Sequence, residues 1–409
     1  MSDASAKLAQ IFRSESGRVL SSLIYYTRDL ELAEDALQDA CEQASIKWPE
    51  QGTPDNPAAW LYTVSKRKLI DKLRQRGSRR AEQTLALIRD SFSHDSTVAE
   101  ATYPIPDERL RLIFTCCHPA LNEQARVALT LKTLCGLSIK QIARAYLSSE
   151  IAMTQRLTRA KRKIRDAGIA YEIPGDETFE QRLPSVLAVI YLIYNESYSA
   201  YESQTLTRAD LATEAIRLGR ILLSLLPRPE VAGLLALMLF HDARREARSS
   251  RAQPYIPLEQ QDRSLWKQDS IKEGNDLLGV AMQVGKPDSF QVQAAISALH
   301  CAAKSWRQTD WSQIQLLYSS LYKLAPSPII LLNQAVAYAH GDDPEYAYSC
   351  IKVLQEQLHD YQPYYAARAD VETRLSLTPQ AIASYDRAIT LSKNGIERDF
   401  LMTKRSSLG

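Results

Sequence analysis

Residues 136–165 read GLSIKQIARAYLSSEIAMTQRLTRAKRKIR. The spacing predicts two short helices joined by a tight turn, the second of them basic. Ser138 is placed as the N-cap of the first, which runs to about Tyr146. Ile139, Ile142, Ala143 and Tyr146 recur at helical spacing and give it one apolar face. Leu147-Ser148-Ser149-Glu150 is a polar break. The second helix is expected to bury Met153, Leu157, Ala160 and Ile164, at steps of four, three and four. Thr154, Gln155, Arg156, Thr158, Arg159, Lys161, Arg162, Lys163 and Arg165 take the rest of its circumference, and no acid lies between Gln155 and Arg165. A helix–turn–helix needs this arrangement, one helix braced across the backbone and the next in the major groove. A solvated basic helix in an ordinary helical protein gives the same pattern.

The chain has 409 residues, 45% hydrophobic and 24% charged, which suggests two to four domains. Only 14 glycines and few alternating β-branched runs point to an all-α protein. The formal charge of +2 hides an asymmetry. Residues 1–170 carry 26 Lys/Arg against 20 Asp/Glu, and residues 171–409 carry 24 against 28. The nucleic-acid signal is therefore N-terminal.

Cys41, Cys116, Cys117, Cys135, Cys301 and Cys350 are scattered and suggest reduced, buried thiols in a cytoplasmic protein rather than a disulfide framework. Cys116-Cys117-His118 invites a metal reading, but an adjacent pair without a partner pair is poor zinc geometry, and helix-end packing is the expectation. The start, MSDASAKLAQ, lacks a basic-then-apolar signal pattern. No apolar run reaches the ~18–20 residues of a membrane span; Ile221–Phe240 is broken by Pro227-Arg228-Pro229-Glu230. An enzyme lacks support, since there is no Ser/His/Asp set, Gly-rich phosphate loop or zinc signature. No catalytic residue, cofactor or metal ligand is assigned.

Leu8 to Thr27 is a first helix, and a second runs from about Asp29 to Lys47. Leu32, Ala33, Ala36, Leu37, Ala40, Cys41 and Ala44 form its apolar stripe, with Glu31, Glu34, Asp35, Gln38 and Glu42 opposite. That acidic face is either solvated or a partner surface. Residues 48–57 hold three prolines and a glycine and read as a stiff loop. A helix over 58–76 follows. Its flank carries Lys68, Lys72, Arg76 and Arg79, with Lys66, Arg67 and Arg74 nearby. Basic charge beside Trp60 and Tyr62 suits single-stranded DNA, where stacking is worth ~1–3 kcal/mol per base. Both aromatics as core residues is the competing reading.

Three segments, AEDALQDACEQA (33–44), PAAWLYTVSKRKLIDKLRQR (57–76) and the stretch 136–164, together resemble regions 2 and 4 of the extracytoplasmic-function (ECF) sigma factors of the sigma-70 superfamily. These are promoter-recognition subunits of bacterial RNA polymerase. The resemblance covers roughly residues 8–170, and Leu147 departs from it where the family often has glycine. It implies region 2 over 8–80, a linker over 81–107 that threads the polymerase near the RNA exit path, and region 4 over 108–170. It implies that Glu34, Asp35, Gln38 and Asp39 dock on the β′ clamp helices of core RNA polymerase, with the β flap as a further contact. Asn56, Trp60, Lys66, Arg67 and Arg74 would open and hold the −10 element of promoter DNA. Thr154, Gln155, Arg156, Thr158, Arg159 and Arg162 would read the −35 element, with Arg159 best suited to a guanine edge.

Beyond Gly168 the chain stays helical and its charge changes sign. Leu183–Tyr194, Leu211–Leu226 and Val231–His241 are expected helices, the last wholly buried. His241, Asp242, Arg244, Arg245 and Arg248 cap that helix's domain or bind an anion. Residues 171–285 read as a helical domain without an arguable function. Over 286–409 a repeat appears: Ala335, Ala347, Ile351 and Leu354 recur 34 residues later as Ala369, Ala381, Tyr385 and Ala388. That is the tetratricopeptide (TPR) period, with a weaker copy at Ala302, Ile314, Tyr318, Leu321 and Pro326. The whole resembles the ECF group with a fused C-terminal TPR-like extension, whose repeats would take a protein or small ligand and regulate the DNA-binding half. The alternative is a helix–turn–helix regulator with a TPR sensing domain that acts without core polymerase.

Overall fold

The structure, a computed structural model, describes residues 3–77, 81–86, 88, 108–146, 148–198, 207–248, 255–392 and 395–409. The described chain is helical, without a strand. It divides into two compact units: residues up to 196 together with 207–218, and residues from 219 onward. The segment 171–285, read as one domain, is thus shared between them.

The first unit begins with α1 (Asp3–Thr27), α2 (Leu30–Gln51) and α3 (Pro57–Arg76). Val19, Leu23, Leu32, Ala36, Ala40, Leu61 and Leu69 are buried among them. Arg28 adopts a left-handed φ of 52° between α1 and α2. Asp29 then caps α2, its carboxylate accepting from Leu32 N–H at 3.0 Å. The expected loop at 48–57 is shorter, because α2 continues through Pro49 to Gln51. A proline so close to the helix end removes one bond from a frayed turn, and Gly52 N–H closes the helix on the Trp48 carbonyl at 3.1 Å. Trp48 is buried, stacked on Phe12 and edge-on to Trp60.

Next come α4 (Arg109–Cys116), α5 (Glu123–Thr133), α6 (Ile139–Ala145), α7 (Glu150–Asp166) and α8 (Asp176–Tyr198). A Cβ on Gly17 would lie 2.9 Å from the Leu134 carbonyl oxygen, so α1 needs glycine there to approach the end of α5. Cys116 and Cys117 are buried, their thiols 3.2 Å from Thr133 Oγ1 and 3.7 Å from Thr130 Oγ1. Burial pushes the Cys117 thiol up to about 11, so it stays protonated and inert. α8 seals this helix end: Arg182 donates to the Phe114 carbonyl at 2.6 Å and Ser185 to the Cys117 carbonyl at 2.9 Å. α8 also starts earlier and ends later than the Leu183–Tyr194 expected, carrying Pro184 inside it. Val186, Val189, Ile190 and Ile193 are buried along one side and outweigh the bond lost to the proline.

α9 (Thr207–Leu225) is divided between the units after Leu218. In the second unit α10 (Pro229–Ala243) is buried from Val231 to Phe240. The cluster that follows caps it: Arg244 donates to the Phe240 carbonyl and Arg248 to the His241 carbonyl. After α11 (Gln268–Ala281) the chain forms helix pairs. These are α12 (Ser289–Ala302) with α13 (Trp311–Leu324), α14 (Pro328–His340) with α15 (Pro344–Val353), and α16 (Gln362–Arg374) with α17 (Thr378–Leu391); α18 (Gly395–Ser406) packs on α17. α14 and α16 begin 34 residues apart, as do α15 and α17. The repeated positions Ala335, Ala347, Ile351, Leu354, Ala369, Ala381, Tyr385 and Ala388 are all buried. Within the weaker copy Ile314 and Leu321 are buried, whereas Ala302 and Pro326 are exposed at helix ends. No described helix is long and apolar enough to cross a membrane.

Candidate nucleic-acid interface

The helix pair read from 136–165 is present. A reciprocal cap starts α6: Gln141 N–H reaches the Ser138 hydroxyl at 3.2 Å and the Gln141 amide oxygen accepts from Ser138 N–H at 2.8 Å. Leu147, where the sequence departs from the family, lies outside the described residues. Ser149 caps α7 by accepting from Ala152 N–H at 3.1 Å. Met153, Leu157 and Ala160 are buried and Ile164 is half-buried. The polar face is therefore turned outward: Thr154, Gln155, Thr158, Arg159 and Arg162 are exposed and Arg156 is half-buried.

Thr154 and Thr158 spend their hydroxyl hydrogens on the Glu150 and Thr154 carbonyls, at 2.8 and 3.0 Å. Their oxygens can still accept. Arg159 Nε donates to the Gln155 carbonyl at 3.3 Å, which aims the guanidinium along the helix surface. Arg162 Nε engages Asp166 at 3.2 Å. Arg156, Arg159 and Lys163 line a recess of about 480 Å3 with Asn122 and Gln124 at the start of α5. Cationic side chains meeting a helix N-terminus suit a backbone phosphate.

α3 carries the second basic surface. Asn56 caps it, its side-chain oxygen accepting from Ala59 N–H at 3.0 Å. Pro57 fills the first position and Gly77, at φ 55°, ends the helix. Arg67 and Arg74 project into solvent. Trp60 is half-buried, 5.3 Å from the Trp48 ring. Lys66 is not on this surface: it is buried, its ammonium over the rings of Tyr26 and Tyr62. Two aromatic faces hold it inside the bundle. Arg79 lies outside the described residues. Lys72 and Arg76 are tied to the preceding helix and turn through Asp39 and Asp29, each at 3.0 Å.

On α2, Asp35 and Gln38 are exposed, and Gln38 donates to Glu42 at 3.2 Å. Asp39 is held by Lys72. Glu34 is half-buried and paired with Lys161 of α7. The residues expected at the −35 element thus lie on α7, those expected at the −10 element lie on and before α3 with Lys66 turned inward, and the acidic residues lie on α2. Sequence reasoning missed Ile151, which is 73% exposed in the first turn of α7. Its signal was legible, since it falls outside the Met153–Leu157–Ala160 spacing. Also missed was Tyr171, buried after α7; nothing in the local pattern distinguishes it. No group of three or more His, Cys, Asp or Glu placed to hold a metal lies among the described residues.

Comparison with known proteins places names beside these surfaces. Residues 11–79 match the model of Sigma-70 region 2, and residues 111–164 that of Sigma-70 region 4. Residues 182–282 match a family of unknown function (DUF6596). The chain is 41% identical over 389 residues to an uncharacterized protein of Rhizobium meliloti (strain 1021), covering 94% of this chain and 92% of that one. It is 30% identical over 146 residues, 36% of its length, to a "probable ECF RNA polymerase sigma factor SigI" of Mycobacterium tuberculosis, half of which is covered. No solved structure matches the chain.

Proposed function

Because the chain belongs to the ECF sigma factors of the sigma-70 superfamily, in the group with a fused C-terminal extension, we propose that it binds core RNA polymerase and directs it to promoters whose −35 element α7 reads and whose −10 element α3 opens. Members of that family are transcription initiation factors, not enzymes. The observation that carries the reading is the outward basic face of α7, with Arg159 and Arg162 exposed beside the Arg156–Lys163 recess. On α3, Arg67 and Arg74 offer phosphate contacts, and Trp60 a stacking face at the helix start. Asp35, Gln38 and Asp39 on α2 supply the surface for the β′ clamp helices.

The helix pairs that begin 34 residues apart support a TPR-like extension with a regulatory role. A cavity of about 250 Å3 in the second unit, with Trp306, His340, Asp370, Tyr385 and Phe400 among its walls, supports a ligand or peptide site there. A chain ending at Leu225 should respond differently in promoter-specific transcription; unchanged output and unchanged signal response contradict regulation. Footprinting with and without core polymerase separates the main reading from the regulator alternative. Protection should require core enzyme, whereas an operator footprint by the protein alone contradicts the sigma reading.

A further inference from the structure

Within the second unit, the segment 255–260, Tyr-Ile-Pro-Leu-Glu-Gln, lies along the cavity of about 250 Å3 in the helix repeats. Pro257, Leu258 and Glu259 line that cavity together with Ala339 of α14 and with Ala366 and Ala367 of α16, the first helices of two successive pairs. Small side chains on those helices leave a groove between them. Tyr255 anchors the segment on the last helix, its ring edge-on to Phe400 of α18 with 5.0 Å between centroids. Pro257 holds an extended backbone, φ −64° and ψ 155°. That is the polyproline conformation in which aromatic-lined grooves accept peptides.

The segment is seated like a peptide and is not built into the core. Ile256 N–H donates to the Arg248 carbonyl at 2.7 Å, Gln260 N–H to the Pro257 carbonyl at 2.9 Å, and the Gln261 side chain to the Ile256 carbonyl at 3.1 Å. These bonds run to the segment's own stem or stay within it, so the side chains of Tyr255, Pro257 and Leu258 supply the hold on the helices. All three residues are half-buried, and Glu259 and Gln260 are exposed. The cavity that remains beside them forfeits contacts that a better-filling chain gains. Charge agrees with the fit. Lys404 of α18 borders the cavity beside Glu259, with its ammonium 5.8 Å over the Phe400 ring. Asp370 on α16 is already paired with Arg374 at 2.8 Å, which leaves Lys404 as a cation that an acidic residue can meet.

We infer that residues 255–260 are an internal ligand of the helix repeats, and that the partner of this domain is a peptide segment of the same chemistry, which binds by displacing them. Such a segment carries an aromatic and an aliphatic residue, then proline, leucine and an acid. The inference rests on the reading of this cavity as a ligand or peptide site, and it names the peptide. A tethered segment competes at an effective concentration in the millimolar range, so the free domain is occupied by its own chain until a partner outbids it.

A fluorescein-labelled peptide of residues 254–262, PYIPLEQQD, is the probe, titrated with the 409-residue chain and read by anisotropy. Tyr255→Ala combined with Leu258→Ala loosens the internal segment. That variant should bind the peptide about tenfold or more tighter than wild type. Adding Ala367→Glu, which puts a charge into the alanine wall, should abolish the binding. Equal affinities of wild type and double variant overturn the inference. So does binding that survives Ala367→Glu, or no binding to a double variant whose circular dichroism matches wild type. Where the double variant does not fold, a crosslink decides. p-Azidophenylalanine in place of Tyr255 should crosslink to α18 on illumination, and millimolar peptide should suppress that product. No crosslink to α18, or one undiminished by peptide, overturns the inference. Promoter output from the chain ending at Leu225 bears on the regulatory reading by itself. Unchanged output removes regulation and leaves a displaceable segment standing, whereas altered output beside an undisplaced segment removes only the internal ligand.

Discussion

The Ser149 hydroxyl accepts a hydrogen bond from Ala152 N–H at 3.1 Å, and that bond fixes where α7, the helix proposed to read DNA, begins. Without it one of the four unpartnered N–H groups of the first turn is exposed. Ser149→Ala should cost about 1 kcal/mol, seen as a lower urea midpoint with an unchanged slope, and Ser149→Asp should recover most of it. Equal midpoints for wild type and alanine variant contradict the cap's role.

Ile151 stands at the start of α7 and is largely exposed, although the helix buries Met153 and Leu157 and half-buries Ile164. In a major groove an apolar side chain at this end meets thymine methyl groups. Replacing single thymidines of the −35 element by deoxyuridine, which removes only that methyl, should weaken wild-type binding at one position. Ile151→Ala should bind both DNAs equally. Sensitivity persisting in the variant contradicts this contact.

Glu372 is fully buried in α16, where it accepts from Arg368 at 2.8 Å and from the Ser384 hydroxyl of α17 at 2.6 Å. Glu372→Ala leaves Arg368, itself 19% exposed, without its counter-charge. The second unit should lose about 3 kcal/mol or more. A chemical melt with a loss under about 1 kcal/mol contradicts a structural role for the pair.

Burial, with Arg244 and Arg263 nearby, pushes the His300 pKa down to about 3; burial and Arg374 push that of His340 down to about 4. The unfolded chain protonates both below the ordinary 6.5, so between pH 6.5 and about 4 it binds more protons than the folded one. Stability therefore falls as pH falls through that window. The denaturation midpoint of the second unit, followed by its Trp266, Trp306 and Trp311 fluorescence, should be lower at pH 5 than at pH 7. Replacing both histidines by phenylalanine should flatten most of that change; an undiminished slope assigns it to other groups.

The helix–turn–helix was legible because caps, apolar spacing and charge agree over 138–165. Ile151 was passed over because every position outside the Met153–Leu157–Ala160 spacing was read as polar. Lys66 illustrates a limit of pattern reading, since its neighbours Arg67 and Lys68 imply a surface, whereas it lies inside with its ammonium over the rings of Tyr26 and Tyr62. Pro49 reads as part of a loop, and the helix expected over Leu183–Tyr194 starts beside Pro184, yet packing of Trp48 and of the Val186–Ile193 face carries each helix across its proline. The Lys161–Glu34 pair and the hydrogen bond from Arg28 to the Tyr171 carbonyl join positions more than 120 residues apart. No local spacing encodes them.

Run-off transcription with purified core polymerase, this protein and fragmented genomic DNA tests promoter direction most directly. Discrete transcripts should appear only when the protein is present. Arg159→Ala should reduce them by the roughly five- to 150-fold that a bidentate guanine contact confers, ~1–3 kcal/mol, while co-purification with core is unchanged. Failure to associate with core, together with no protein-dependent start site, contradicts the sigma-factor function.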